Sequence, residues 1–160
     1  MASIRAVTTD DFKIEVFKRA IATNPWYVVL FSGTTAPTAD MTAASFWATY
    51  TEITSYAAAT RPAWTAADVV GSPMALGVEQ PSDNLAAIAS NVPVFDFSSL
   101  TDNVTVNGGA LVSKSAKGDK TGSVAMIWLY STPISAANQI IPVYAVMDVS
   151  DACAVPTRRI

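Results

Sequence analysis

The chain has 160 residues, an apolar fraction of 51%, a charged fraction of 14% and a formal net charge of −3. The length predicts one domain, and the charge balance excludes a general affinity for nucleic acid. With 0 histidines and 1 cysteine, Ser-His-Asp and Cys-His catalysis, histidine-type zinc or iron sites, thiolate clusters and an intramolecular disulfide are excluded.

So little charge leaves Ala, Ser and Thr to cover the surface, or leaves surface to be buried against partners; the second is our expectation. No apolar run follows the Met-Ala-Ser-Ile-Arg start, so no signal peptide is expected. No stretch approaches the roughly 18 apolar residues of a membrane span. Folding in the cytoplasm follows as an expectation.

Residues 8–22, TTDDFKIEVFKRAIA, predict a helix. Thr8 or Thr9 caps it, Asp10 and Asp11 sit in the first turn, and Lys18 and Arg19 lie near the other end. Phe12, Val16, Phe17, Ala20 and Ile21 form its apolar stripe, and Asn24-Pro25 stops it. The alternative is a strand through Phe12, Ile14 and Val16. Residues 26–31, WYVVLF, predict a buried strand closed by Ser32-Gly33. Residues 34–56 are polar and irregular, except that 42–50 predicts a short helix capped by Thr42, with Phe46, Trp47 and Tyr50 on its apolar side.

Residues 61–68, RPAWTAAD, predict an edge strand with Pro62 at its start. Gly71, Pro73, Gly77 and Pro81 prevent a long regular element in the middle of the chain. Beyond them the pattern is all β: strands over 85–89, 92–97, 104–113, 123–130 and 140–149, with turns at 90–91, 99–103, 114–122 and 132–138. Residues 107–130 organise this half. Val124, Met126, Trp128 and Tyr130 fall on one face of the second strand, and Ala125, Ile127 and Leu129 on the other. Two apolar faces predict a strand buried on both sides.

The expected fold is mainly β: one antiparallel β-sandwich or jelly-roll-like domain over residues 1–150 with an N-terminal α-helix. Residues 151–160, with Pro156, Arg158 and Arg159, form a tail: a flexible arm or a strand added to a neighbour.

No catalytic constellation emerges. Glu15, Glu52 and Glu79 are the glutamates, and acid–base work on sugars needs two carboxylates in one cleft. Asp10 and Asp11 are explained by the helix start, and Asp102 and Asp119 by turns. Gly108-Gly109 and Gly118-Asp119 match no phosphate-binding motif; the paired glycines provide a bulge or a close backbone approach. Lys114, Lys117 and Lys120 read as a solvated turn, with contact to an acidic partner as the alternative. No metal or cofactor is expected, and Cys153 reads as a passive thiol. Trp47, Tyr50, Tyr56 and Trp64, with Arg158 and Arg159, are the candidate interface residues. The aromatics serve as core or subunit contact, or else as a sugar-stacking platform.

Four blocks taken in order resemble small structural proteins of tailed-phage virions. They are DFKIEVFKRAIATNPWYVVLFSGTTAPTAD, YTEITSYAAATRPAWTAA, NVPVFDFSSLTDNVTVNGGALVSKSAKGDKTG and SVAMIWLYSTPISAANQIIPVYAVMDVS. The resemblance implies a non-enzymatic antiparallel β-sandwich, most simply a capsid decoration (cement) protein. Its partners would be the major capsid protein and further copies of itself as a dimer or trimer, in a virion assembled in the host cytoplasm. The alternative is a tail, baseplate or tail-fibre component, with glycan binding among its functions. The resemblance carries no catalytic residue, no nucleic-acid partner and no membrane.

Overall fold

An unbroken apolar run satisfies its backbone inside a sheet and its side chains between two layers. Residues 26–31 do both. The computed structural model describes Arg19 and residues 25–71, 85–89, 91–144 and 146–148. In chain order its elements are β1 (Trp26–Ser32), α1 (Ala43–Thr49), β2 (Thr51–Glu52), β3 (Ala63–Trp64), β4 (Ala66–Gly71) and β5 (Leu85–Ala89). They continue with β6 (Val94–Asp96), β7 (Thr105–Val112), β8 (Val124–Ser135), β9 (Ile140–Pro142) and β10 (Val146–Asp148). Over the described residues the protein is mainly β, its strands pair antiparallel, and α1 is short.

The main sheet has the order β2-β1-β7-β8, with β3 also paired to β1. β7 lies along β1 from Tyr27 opposite Val112 to Phe31 opposite Gly108. On the other edge, β2 pairs near Phe31 and β3 pairs near Trp26. Between them Ile53 N–H donates to the Leu30 carbonyl at 2.8 Å, and Val28 N–H donates to the Pro62 carbonyl at 2.9 Å. The chain thus leaves β1 after residue 53, makes an excursion, and returns at 62. β4, β5 and β10 form a second sheet, and β6 and β9 form a two-stranded ribbon.

Alternation along β1 divides the core in two. Trp26, Val28 and Leu30 face one cluster, closed by Ile53, Tyr56, Trp64, Phe95, Phe97, Ile141 and Val143 from the excursion and the ribbon. Val29 and Phe31 face the other, closed by Phe46, Trp47 and Tyr50 of α1 and its C-cap. Full burial of one such aliphatic or aromatic side chain contributes about 1.5–3 kcal/mol. The helix is held at its start by a capping box, with Ser45 N–H donating to Thr42 Oγ1 at 3.2 Å and Thr42 N–H to Ser45 Oγ at 2.8 Å.

Several expectations are met and several are corrected. β1, α1 with its Thr42 cap, β5 and β7 lie where the sequence placed them. The stretch 61–68 is not one strand: β3 and β4 belong to different sheets. The same holds for 140–149, which divides into β9 and β10. β8 runs on to Ser135, through residues expected to turn. β8 also proves to be the rim of the main sheet and only half-buried, because neither covering layer extends fully over it. The helix expected over 8–22 lies outside the described residues save Arg19, which is helical. The tail 151–160, including Cys153, lies outside them altogether.

Gly108 and Gly109 serve close approach. A Cβ on Gly108 would strike the Trp128 main-chain oxygen and come within 2.8 Å of the Phe31 ring. A Cβ on Gly109 would strike the Trp128 indole. The first obstacle is backbone and the second a half-exposed side chain. Gly108→Ala is therefore expected to destabilise by about 1–3 kcal/mol in urea unfolding, and by more than Gly109→Ala. In a double-mutant cycle Trp128→Ala should relieve the second substitution and not the first. Equal tolerance at both positions would contradict this packing.

Candidate functional site

The densest polar constellation is centred on Arg61. Between Arg19 and Lys114 it is the only basic residue, and it is fully buried. A buried guanidinium requires a carboxylate and acceptors for its remaining donors. Glu52 supplies the carboxylate: Arg61 Nε donates to Oε1 at 2.8 Å and Nη2 donates to Oε2 at 2.6 Å. The Lys114 carbonyl accepts from Nη1 at 2.8 Å, and the Asp119 carbonyl accepts from Nη2 at 2.9 Å. Gly118 N–H returns a donor to Glu52 Oε2 at 2.9 Å. That amide is presented by a backbone with φ +76°, the left-handed region open to glycine. Arg61 also lies over the Trp47 ring, 5.3 Å from its centroid.

Local chain geometry explains the meeting. Glu52 is carried on β2 and Arg61 at the end of the excursion, so both stand beside the same edge of β1. The turn between β7 and β8 folds over them. Arg61 N–H donates to the Ser115 carbonyl at 2.8 Å, and Thr60 bridges Ala116. Lys117 donates to the Thr54 and Tyr56 carbonyls at 2.9 and 2.6 Å, and its ammonium stands 3.8 Å from the centre of the Tyr56 ring. The expectation of a freely solvated lysine turn is thus corrected: Lys114 and Lys120 are exposed, but Lys117 fastens the turn to the excursion.

Burial pushes the Lys117 ammonium below its ordinary pKa, opposed by the Glu52 carboxylate. Burial raises the Tyr56 phenol, and Glu52 raises it further. The Asp119 carboxyl is held below the usual range, chiefly by the Thr121 hydroxyl and then by the Thr121 amide. Both Glu52 oxygens are engaged, Oε1 by Arg61 and Oε2 by Arg61 and the Gly118 amide. Among the described residues no group of three or more His, Cys, Asp or Glu side chains could hold a metal ion.

The aromatic candidates are placed apart from one another. Trp47 and Tyr50 are buried on the α1 side of the sheet, and Tyr56 and Trp64 on the opposite side. Tyr56 packs edge-on to Phe95 with centroids 4.8 Å apart, and Tyr50 donates its hydroxyl to the Thr35 carbonyl at 2.6 Å. They form no exposed platform. Arg158 and Arg159 lie outside the described residues. Sequence reasoning passed over Arg61 and Glu52. Their one signal was the solitary cation in a long stretch poor in basic residues.

Comparison with family models, with curated proteins and with solved structures finds no match to this chain.

Removing one partner of a buried ion pair strands the other. Glu52→Gln is expected to cost about 3–5 kcal/mol in equilibrium urea unfolding. Replacing both partners, as Glu52→Leu with Arg61→Met, should recover much of that loss; a Glu52→Gln variant as stable as wild type would show that the pair is not buried in solution.

The lowered Asp119 carboxyl has a defined pH signature. Its folded pKa lies below its unfolded value of about 3.9. Its contribution is therefore present above that value and lost as pH falls through the folded pKa. Wild type should melt above Asp119→Asn near neutral pH, and the gap should close below about pH 4. A gap unchanged across that range would rule out the charged form as the cause.

Proposed function

We propose that this protein works as a structural component of a bacteriophage virion, most simply a capsid decoration protein that holds neighbouring subunits together and transforms no substrate. The observation that carries the reading is a partly apolar outward face poor in charge, beside a polar cluster whose groups are consumed internally. Residues 121–147 contain no charged side chain. Large apolar residues on that stretch and on the neighbouring ribbon face outward, Ile140 and Tyr144 most of all. The charged groups around Arg61, by contrast, are spent on fastening the turn. Such a division suits contact with protein.

The order of the four sequence blocks resembling tailed-phage virion proteins supports the same reading. So does the layering: the β6–β9 ribbon and the excursion cover one face of the main sheet, an arrangement from which a β-sandwich is built. The mechanism would be area burial, at about 25 cal/mol per Å² of apolar surface before association costs. Many copies on one shell would add their contacts by avidity.

A tail or baseplate position is the second reading, since the same resemblance includes such proteins. Glycan binding through Trp47, Tyr50, Tyr56 and Trp64 loses ground because those side chains are buried. Quantitative mass spectrometry of purified particles separates the two positions. A decoration protein should be present on the order of hundreds of copies, since each capsomer junction offers the same repeated site. A copy number near six or twelve would move it to the tail, and absence from intact particles would end the reading.

A further inference from the structure

The Lys117 ammonium lies in a cradle built by the excursion. The Thr54 and Tyr56 carbonyls accept from it at 2.9 and 2.6 Å, and the nitrogen stands over the Tyr56 ring, 3.8 Å from its centre. Carbonyl oxygens and the negative face of a ring are what a primary ammonium takes in place of water. Burial works against the charge there, and the Glu52 carboxylate works for it.

The cradle is held without help from the lysine. Ile53 N–H donates to the Leu30 carbonyl at 2.8 Å on one side of it, and Ala57 N–H donates to the Asp96 carbonyl at 2.8 Å on the other. Between these anchors the Tyr56 ring is buried edge-on to Phe95 and Phe97, with centroids 4.8 and 6.0 Å away. The turn that brings Lys117 is also held by other groups. Arg61 takes the Lys114, Ser115 and Asp119 carbonyls, and Glu52 holds the Gly118 amide. Both walls therefore stay in place when the Lys117 side chain is cut back. What is left is a hollow with two carbonyls and a ring at its end. Ala116 and Gly118, on either side of Lys117, are exposed, so the hollow opens to solvent.

We propose that residues 54–56 form a binding site for a primary alkylammonium group, filled in the folded chain by Lys117 and able to take a free alkylammonium once that side chain is removed. The ligand class follows from the cradle's chemistry. A primary ammonium has donors for both carbonyls and a positive charge for the ring. A quaternary ammonium has the charge but no donor, and an alcohol of the same length has a donor without the charge. Lys117→Ala removes three methylenes and the amine, which is the outline of n-propylammonium. The site does not depend on a place in a virion, so it and the proposed function fail separately.

Thermal unfolding followed by circular dichroism tests it on the full chain at about pH 7.5, where alkylamines are protonated. Salts are compared as chlorides at matched ionic strength. Lys117→Ala should melt below wild type, and n-propylammonium should raise its melting temperature saturably. A ligand this small binds with a dissociation constant on the order of 10 mM. At about ten times that concentration the rise should be about 3–6 °C beyond that in sodium chloride. Tetramethylammonium and n-propanol should give no such rise. Wild type and Lys117→Met should not respond, because in each the hollow is filled. Lys120→Ala, on the exposed part of the turn, should not respond either. If Lys117→Ala is unfolded by itself, the same ligand should restore the wild-type spectrum. A Lys117→Ala chain, folded or not, that gains no more from n-propylammonium than Lys117→Met does would overturn the proposal, as would an equal gain from tetramethylammonium.

Discussion

The structure depends on the pairing of β1 with β7 as strands buried on both faces. Leu30 and Phe31 are adjacent in sequence and point into different clusters. A sheet with such a centre is stable only when both sides are covered. One side is covered cheaply, by a seven-residue helix that brings Phe46, Trp47 and Tyr50 onto Val29 and Phe31. The other side is covered by irregular chain and a three-residue ribbon pair, which have few backbone bonds of their own. That side needs fastening, and the fastening is polar.

Arg61, Glu52 and Lys117 supply it. The guanidinium gathers two carbonyls of the turn, Glu52 holds the turn amide, and Lys117 holds two carbonyls of the excursion. Three segments distant in sequence are thereby fixed at one edge of β1. A buried ion pair is a weak source of net stability compared with an apolar replacement, but it is unforgiving of half-removal. Its contribution is positional. It aligns the excursion that carries Tyr56 into the core between Ile53 and Trp64.

Much of this was legible in the sequence. WYVVLF could be little else than a two-faced strand, and Thr42 announced its helix because its hydroxyl meets an unpaired amide three residues on. The aromatic content was rightly suited to a core, but which side each ring would serve depended on the excursion, and no periodicity encodes an excursion. β8 misled because its two apolar faces match those of a central strand. The pattern is the same for a rim strand whose faces meet the edges of two layers, and burial there depends on how far the layers reach. The partnership of Arg61 with Glu52 was hidden because each side chain is unremarkable alone, and a long-range fold brings them together. The divisions at 61–68 and 140–149 were hidden for a related reason: local pattern marks extended chain without saying which sheet receives it.

The same rim gives the protein its outward character. Apolar side chains on β8 and on the outer face of the ribbon remain where the two layers stop short; β8 and β9 carry no charge, and on β6 Asp96 stands opposite Ile140. On our account that surface is the working part of the molecule, and the Arg61 cluster only holds its shape. A cryo-EM map of the assembled particle at side-chain resolution tests this most directly. The account predicts the outer face of the ribbon and the rim of β8 covered by another polypeptide, with the Tyr144 ring enclosed. A map in which every copy turns that face to solvent, and is held by other surfaces, would contradict it.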